Sequence, residues 1–424
     1  MTDPARRQAL RADAARYYTT RLAADPAAQT YLAGRGIAPE LAGRLGLGAA
    51  DRSWTGATDQ LRSAGYTDAE LVAAGVGFRS ARGTVVDVFR SRVLFPAHDE
   101  QGALVGWAGR STPAAPQHAP HWLNSAAGDY RKRELLHGLH EGRSRLRAGA
   151  VPVLCEGVFD AHAVTVATRG DCVGLAPGGT ALTSLQVDAV GRAVTTAHRH
   201  AEGVAPGLAG RRVLVAFDAD DAGQHAAAAA WPLLQAVGAV TDLVPLPHGS
   251  DPAGVGADAL VQALRAGHPL VDLVVDDALA AWPDRHRWAE HKLGAARAAA
   301  RTIATLRPEQ VARQVARVAT ALRLPPDAVT GEVADAIARH SAPVSAADDD
   351  WHQATGSPIL ARGTLTAVVT ACRLGVAPPR PASAVRGCAS GARRLEGHSP
   401  ERATARARTP PARLLLRARQ RLLL

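Results

Sequence analysis

The chain has 424 residues, enough for two or three domains, and its 47% hydrophobic and 21% charged residues are ordinary globular usage. It has no apolar run of the roughly 18 residues a spanning helix needs, and its charged start, MTDPARRQALRADAARYY, lacks a secretory apolar core; a soluble, cytoplasmic protein with no membrane partner is expected. The net charge of +10 sits in the tail, where residues 361–424 hold thirteen Arg against Glu396 and Glu401, so residues 1–360 net −1 and total charge alone does not mark the folded part as a nucleic-acid binder.

Taken in chain order, residues 1–30 read as one or two polar helices. Residues 31–75 are helical pieces broken by Gly, in YLAGRGIAPELAGRLGLG and DQLRSAGYTDAELVAAG. Residues 83–110, GTVVDVFRSRVLFPAHDEQGALVGWAGR, read as strand, turn, strand, with Asp99–Gly102 as the hairpin turn. A loop with Pro and His follows at 111–121. This gives residues 1–150 an α+β character.

From 151 to 247 the pattern alternates strand and helix, within a domain expected to run to 255. Short apolar runs at 151–157, 172–177, 211–218 and 240–247 read as strands. Helical segments lie between them, one capped by Thr183 and one, AGQHAAAAAWPLLQAVG, expected to break at Pro232. Continuous apolar strands separated by helices predict an α/β domain with a central parallel sheet covered on both faces. Residues 256–340 read as helical. Residues 341–424, rich in Arg, Pro, Ala and Gly, are expected to be disordered because they can bury little surface. The cysteines, Cys155, Cys172, Cys372 and Cys388, form no C-x-x-C pair, so no zinc site is expected and the first two read as buried thiols.

In a parallel sheet, ligands bind beyond the carboxyl ends of the strands. Glu156, followed by Gly157 and Asp160, stands at the end of the first strand. Asp218 and Asp220, in FDADDAG, end the third, and Asp251 follows the fourth. Acids from three strands therefore collect at one edge. Carboxylates about 4 Å apart repel by about 4 kcal/mol at an effective dielectric of 20, so such a group needs a cation or protons. A carboxylate pair plus substrate phosphates is a common way of holding Mg²⁺.

The segments LCEGVFDAHAV, APGGTALT, VAFDADDAGQHAA and PHGSDPAG resemble the TOPRIM domain. Upstream, FRSRVLFPAHDEQGALVGWAGR, PHWLNS, YRKRELLHGL and YLAGRGIAPELAGRLGLG resemble the N-terminal subdomain of the DnaG primase catalytic core. The resemblance covers about residues 30–255 well and 256–340 weakly. It implies synthesis of RNA primers on a single-stranded DNA template from ribonucleoside triphosphates, with Mg²⁺ or Mn²⁺. A replicative helicase is an implied partner, and the nucleoid the implied location. It also implies roles. Glu156 is a general base or metal organiser, Asp218 and Asp220 hold the metal, and Asp251 and Asp160 extend the acidic rim. Arg90, Arg92, Arg110, Asn124 and Lys132 line the groove for nucleic acid or triphosphate. Lys132 and Lys292 are the only lysines of the chain.

The sequence departs from the family pattern in four places. His121 stands where relatives carry Lys, Ala219 replaces Gly in D-G-D, Asp221 adds an acid, and Ala253 replaces an Asp. A TOPRIM nuclease uses the same acids and metals and stays open, as does a degenerate primase that only binds single strands or a helicase. A topoisomerase is disfavoured because Tyr17, Tyr18, Tyr31, Tyr66 and Tyr130 all precede the domain. The absence of a G-x-x-x-x-G-K-[ST] loop disfavours a fused helicase.

Overall fold

The computed structural model describes residues 3–126, 128–179, 181–195 and 207–341, all within the compact unit Met1–Val376. The expectation for the tail falls outside these residues, except for Ser341. Two polar helices open the chain, α1 (Pro4–Ala23) and α2 (Pro26–Ala33). In each, an Asp cap accepts a backbone N–H and Pro fills the first turn, where its missing donor costs nothing. Short helices α3 (Pro39–Arg44), α4 (Gly56–Ser63) and α5 (Asp68–Ala74) follow.

Two antiparallel sheets belong to this first part. One is the pair β2 (Gly77–Arg79) and β3 (Val85–Asp87). The other has four strands in the order β1-β4-β5-β6: β1 (Gly48–Ala50), β4 (Arg92–His98), β5 (Leu104–Ser111) and β6 (Trp122–Asn124). The turn at Asp99–Gly102 joins β4 to β5 as expected; the Asp99 carboxylate accepts the Ala103 N–H at 2.8 Å. The stretch before it differs from a simple strand. The Asp87 carboxylate accepts the Ala57 and Thr58 N–H groups, both at 2.9 Å, and so caps α4. That bond draws β3 away, and Ser91 at φ 49 resets the chain before β4 begins.

After α6 (Leu139–Arg147), the sheet expected for residues 151–247 forms from β7 (Val151–Cys155), β8 (Cys172–Leu175), β9 (Arg212–Ala216) and β10 (Val240–Leu243), all parallel. A two-residue antiparallel edge strand, β11 (His268–Pro269), completes the order β11-β10-β9-β7-β8. Alternate side chains feed two cores. Leu154, Val213 and Val215 face α6, α8 (Ser184–Val194) and α9 (Asp221–Ala236). Val153, Cys155, Leu214 and Ala216 face α7 (Val158–Ala167) and α10 (Ala257–Arg265). This is the α/β layering that a doubly buried parallel sheet requires.

Pro232 does not break its helix. It lies inside α9, and the helix continues because Ala230, Trp231 and Leu234 around it pack against neighbouring cores. Tertiary burial thus outweighs the backbone bond lost at proline. Four helices close the described chain, α11 (Val271–Ala280), α12 (Ala289–Ile303), α13 (Pro308–Leu322) and α14 (Pro326–Ser341). They share an Ala- and Val-rich core. Among the described residues no helix is long and apolar enough to cross a membrane.

Candidate active site

The acidic group forms where β7 and β9 end. Glu156 follows β7 directly, and its Oε1 accepts the Asp218 N–H at 3.2 Å. This bond spans 62 residues and joins the two strand ends. Gly223 makes the approach feasible. A Cβ there would overlap the Asp218 carbonyl and lie 2.9 Å from Glu156 Oε1. Asp220 is the N-cap of α9, its Oδ1 accepting the Gly223 N–H at 2.8 Å. The loop after β10 is tied alongside, because Ala219 and Gly249–Ser250 exchange backbone bonds of 2.7 and 2.9 Å. That pairing carries Asp251 to the group; its Oδ1 accepts the Gly254 N–H at 2.6 Å.

The electrostatics report the convergence. Burial, then Glu156, Asp251 and Asp220, push the Asp218 carboxyl up to about 6. Its Oδ1 is buried with no hydrogen-bond partner. Burial also raises Glu156, opposed by the Asp218 N–H and reinforced by Asp220. Asp160 is buried at 8% exposure. Burial and then Asp251 push it up to about 7, and its Oδ1 accepts the Ala253 N–H at 3.2 Å. Asp160 thereby ties the start of α7 to the loop that carries Asp251. Among the described residues no three His, Cys, Asp or Glu side chains stand ready-made around one ion. A carboxylate oxygen buried without a donor, with three further acids acting on it, is nonetheless the donor set a hard cation takes, with phosphate and water completing the shell.

Of the basic residues, Arg92 and Arg110 come from the antiparallel sheet and Arg90 from the loop that enters it. Arg92 is buried, and its guanidinium donates to the carbonyls of Gly109 at 3.0 Å, His121 at 3.3 Å and Pro120 at 2.7 Å. It therefore fixes the 120–121 loop. Burial and then the nearby Arg90 and Arg110 lower its pKa. Arg90 donates to the Asp87 carbonyl and stacks 3.9 Å from the ring centroid of the exposed Trp54. Arg110 bonds the Tyr31 hydroxyl at 3.4 Å and lies 5.6 Å from the Trp122 ring centroid. Trp122 in turn packs on Phe159, three residues after Glu156. The His121 carbonyl also accepts the Ser111 N–H, and the residue itself is exposed.

Asn124 and Lys132 reach the loop after β8. The Asn124 amide donates to the Gly178 carbonyl at 3.5 Å, and Lys132 Nζ to the Gly179 carbonyl at 3.0 Å. Sequence reasoning does not find Arg35, whose guanidinium lies 5.4 Å from the ring of Phe159 and 5.7 Å from that of Tyr31. Nor does it find the aromatic support that Trp54 and Phe78 give Arg90. In sequence, Arg35 is one more arginine in an Arg-rich chain, and only the packing of Tyr31 on Phe159 brings it to the ring whose hydroxyl Arg110 bonds.

Residues 17–143 match the family model of the DNA primase catalytic core, N-terminal domain, and residues 153–255 match a Toprim-like domain. A DNA primase of Deinococcus radiodurans is 33% identical over 244 residues, covering 56% of this chain and 39% of the relative. A DNA primase of Streptomyces coelicolor is 30% identical over 275 residues, covering 63% and 41%. The chain thus spans about two fifths of the length of these curated relatives. The RNA polymerase domain of Mycobacterium tuberculosis primase DnaG, solved with double-stranded DNA, superposes with a TM-score of 0.63 at 24% identity, covering 77% of this chain and all of that one. The chain thus carries, in adjoining segments, the N-terminal domain of the DNA primase catalytic core and a Toprim-like domain, and the curated proteins it resembles are DNA primases.

Proposed function

We propose that the chain synthesises short RNA primers on single-stranded DNA by divalent-metal-dependent nucleotidyl transfer. The observation that carries this reading is the meeting of Glu156, Asp218, Asp220 and Asp251 at one edge of the parallel sheet, linked through Phe159 and Trp122 to the antiparallel sheet of Arg92 and Arg110. The same acids fit Mg²⁺ or Mn²⁺, with Asp218 and Asp220 as the main holders and Glu156 and Asp251 beside them. When bound, the ion lowers the pKa of the attacking 3′-hydroxyl and neutralises charge on the departing pyrophosphate.

The side chains divide the remaining work. Glu156, raised by burial, is a stronger base than an exposed carboxylate and takes the proton of the 3′-hydroxyl. The freed oxygen attacks the α-phosphorus, and the bond to pyrophosphate breaks. Arg110, Arg90 and Lys132 hold template or triphosphate through phosphate contacts, which position a strand without reading its sequence. Asn124 and Lys132 also fix the Gly178–Gly179 loop through its carbonyls. Arg92 and Asp160 serve by placing other residues.

The test is primer synthesis from labelled ribonucleotides on a single-stranded template, with and without Mg²⁺ or Mn²⁺. Asp218→Ala and Glu156→Gln are each expected to abolish product, a loss of at least about 100-fold. Unchanged synthesis by either variant overturns the assignment. Metal-dependent cleavage of DNA without nucleotides would favour a nuclease instead.

A further inference from the structure

Where β4 meets α6 and α7 lies a group of titratable side chains that the chemistry above does not use. His98, at the end of β4, has its ring 4.4 Å from that of His140, and its Nδ1 is 3.2 Å from Glu141 Oε1. His137, just before α6, is buried at 7% exposure, and its Nε2 has no hydrogen-bond partner. A void of about 10 Å³ separates His137 and Glu141 from His162 of α7 and from Phe95 of β4, which stacks on His162.

The two sides of this seam are anchored differently. Gly138 and Gly142 press α6 directly onto β8: a Cβ on Gly138 would overlap the Gly174 carbonyl, and one on Gly142 would overlap Val173. Thus α6 belongs to the Toprim-like body. His98 belongs to the antiparallel sheet that carries Arg92 and Arg110. The cluster therefore joins the sheet that carries Arg92 and Arg110 to the body that carries the acidic group.

Its charge capacity is small. The groups facing it are His98 and Asp99 from the β4 end, His137, His140, Glu141 and Arg143 around α6, and His162 from α7. Among the described residues of the seam, Glu141 beside His98 supplies the one carboxylate in contact with an imidazole, enough to balance one imidazolium. A second proton places like charges against each other in a half-buried seam.

We propose that this cluster is a proton-sensitive latch, which holds the antiparallel sheet against the Toprim-like domain while its imidazoles carry at most one proton and loosens when a second enters. The sign follows from burial. Burial lowers His137 to about 4, so the seam is at full strength above the ordinary histidine value of 6.5 and loses it as pH falls toward 4. Burial and then His98 lower His140 in the same direction. The idea does not depend on polymerase activity, and its test needs none.

The test is hydrogen–deuterium exchange of the full chain at pH 7.5 and 5.0, corrected for intrinsic amide chemistry. Peptides over β4 and the start of α6 are expected to exchange about tenfold faster at pH 5.0, an order consistent with one unit of pKa shift. In the double variant His98→Asn, His140→Asn and separately in His137→Phe, that rise is expected to shrink to about threefold, since each variant leaves other buried imidazoles in the seam. The double variant alters half-exposed groups and leaves the buried core intact, so it answers even if His137→Phe fails to fold. An undiminished rise in the double variant overturns the latch. So does acceleration spread equally over α11–α14, which reports general acid unfolding, or protection of the seam at pH 7.5 by micromolar Zn²⁺, which reports a metal site.

Discussion

Asp218 carries the sharpest consequence of the acidic group. Its folded-state pKa of about 6 lies above its usual 3.8. The fold therefore favours the neutral form: this residue's contribution to stability is full below about pH 4 and is lost as pH rises through 6. Asp218→Asn is expected to raise the melting temperature at pH 8 without metal and to leave it nearly unchanged at pH 4. Millimolar Mg²⁺ or Mn²⁺ is expected to stabilise the unaltered chain at pH 8 more than at pH 5, and the asparagine variant at neither. Differential scanning calorimetry at the three pH values checks both, and equal metal shifts at pH 5 and pH 8 would separate Asp218 from the ion.

At the scale of elements, two helices show where the fold has little slack. The helix α8 begins with a reciprocal capping box: Thr183 Oγ accepts the Gln186 N–H at 3.2 Å, and the Gln186 side chain accepts the Thr183 N–H at 3.0 Å. Thr183→Ala is expected to cost about 1 kcal/mol. Gly138, at φ 88 and against the Gly174 carbonyl, has space for neither the backbone strain nor the volume of a side chain. Gly138→Ala is expected to cost about 3 kcal/mol, as overpacking against backbone does. Urea titration ranks the pair, and a Gly138→Ala cost no larger than that of Thr183→Ala would mean that α6 is not pressed on β8. The capping box follows from the spacing of Thr and Gln, and the Thr183 cap is readable in advance. The Gly138 constraint is not, since it arises from a strand more than thirty residues away.

For the whole molecule, the near-neutral balance of residues 1–360 implies that any attraction of the folded part for nucleic acid is local to the arginine sheet. Single-strand binding is expected to weaken with salt, and Arg110→Ala to lower the log–log salt slope by about 1, uniformly across template sequences. Fluorescence anisotropy with oligonucleotides of several sequences measures this. A slope unaffected by the substitution would place the strand elsewhere.

Much of this architecture is local information. Period and composition mark the four apolar strands, the intervening helices and the Asp99–Gly102 turn, because each depends on neighbours a few residues away. The order of Glu156, Asp218, Asp220 and Asp251 along the chain places acids at strand ends. Tertiary structure decided what they do to one another: the bond from Asp218 N–H to Glu156, the unpartnered Asp218 Oδ1 and the burial that lifts Asp218 and Asp160 all come from chain segments far apart in sequence. It also decided against the break at Pro232, set Arg92 to holding a loop, brought Arg35 onto the rings of Tyr31 and Phe159, and gathered four histidines into one seam. Packing energy and desolvation depend on which surfaces meet, and a linear pattern does not carry that.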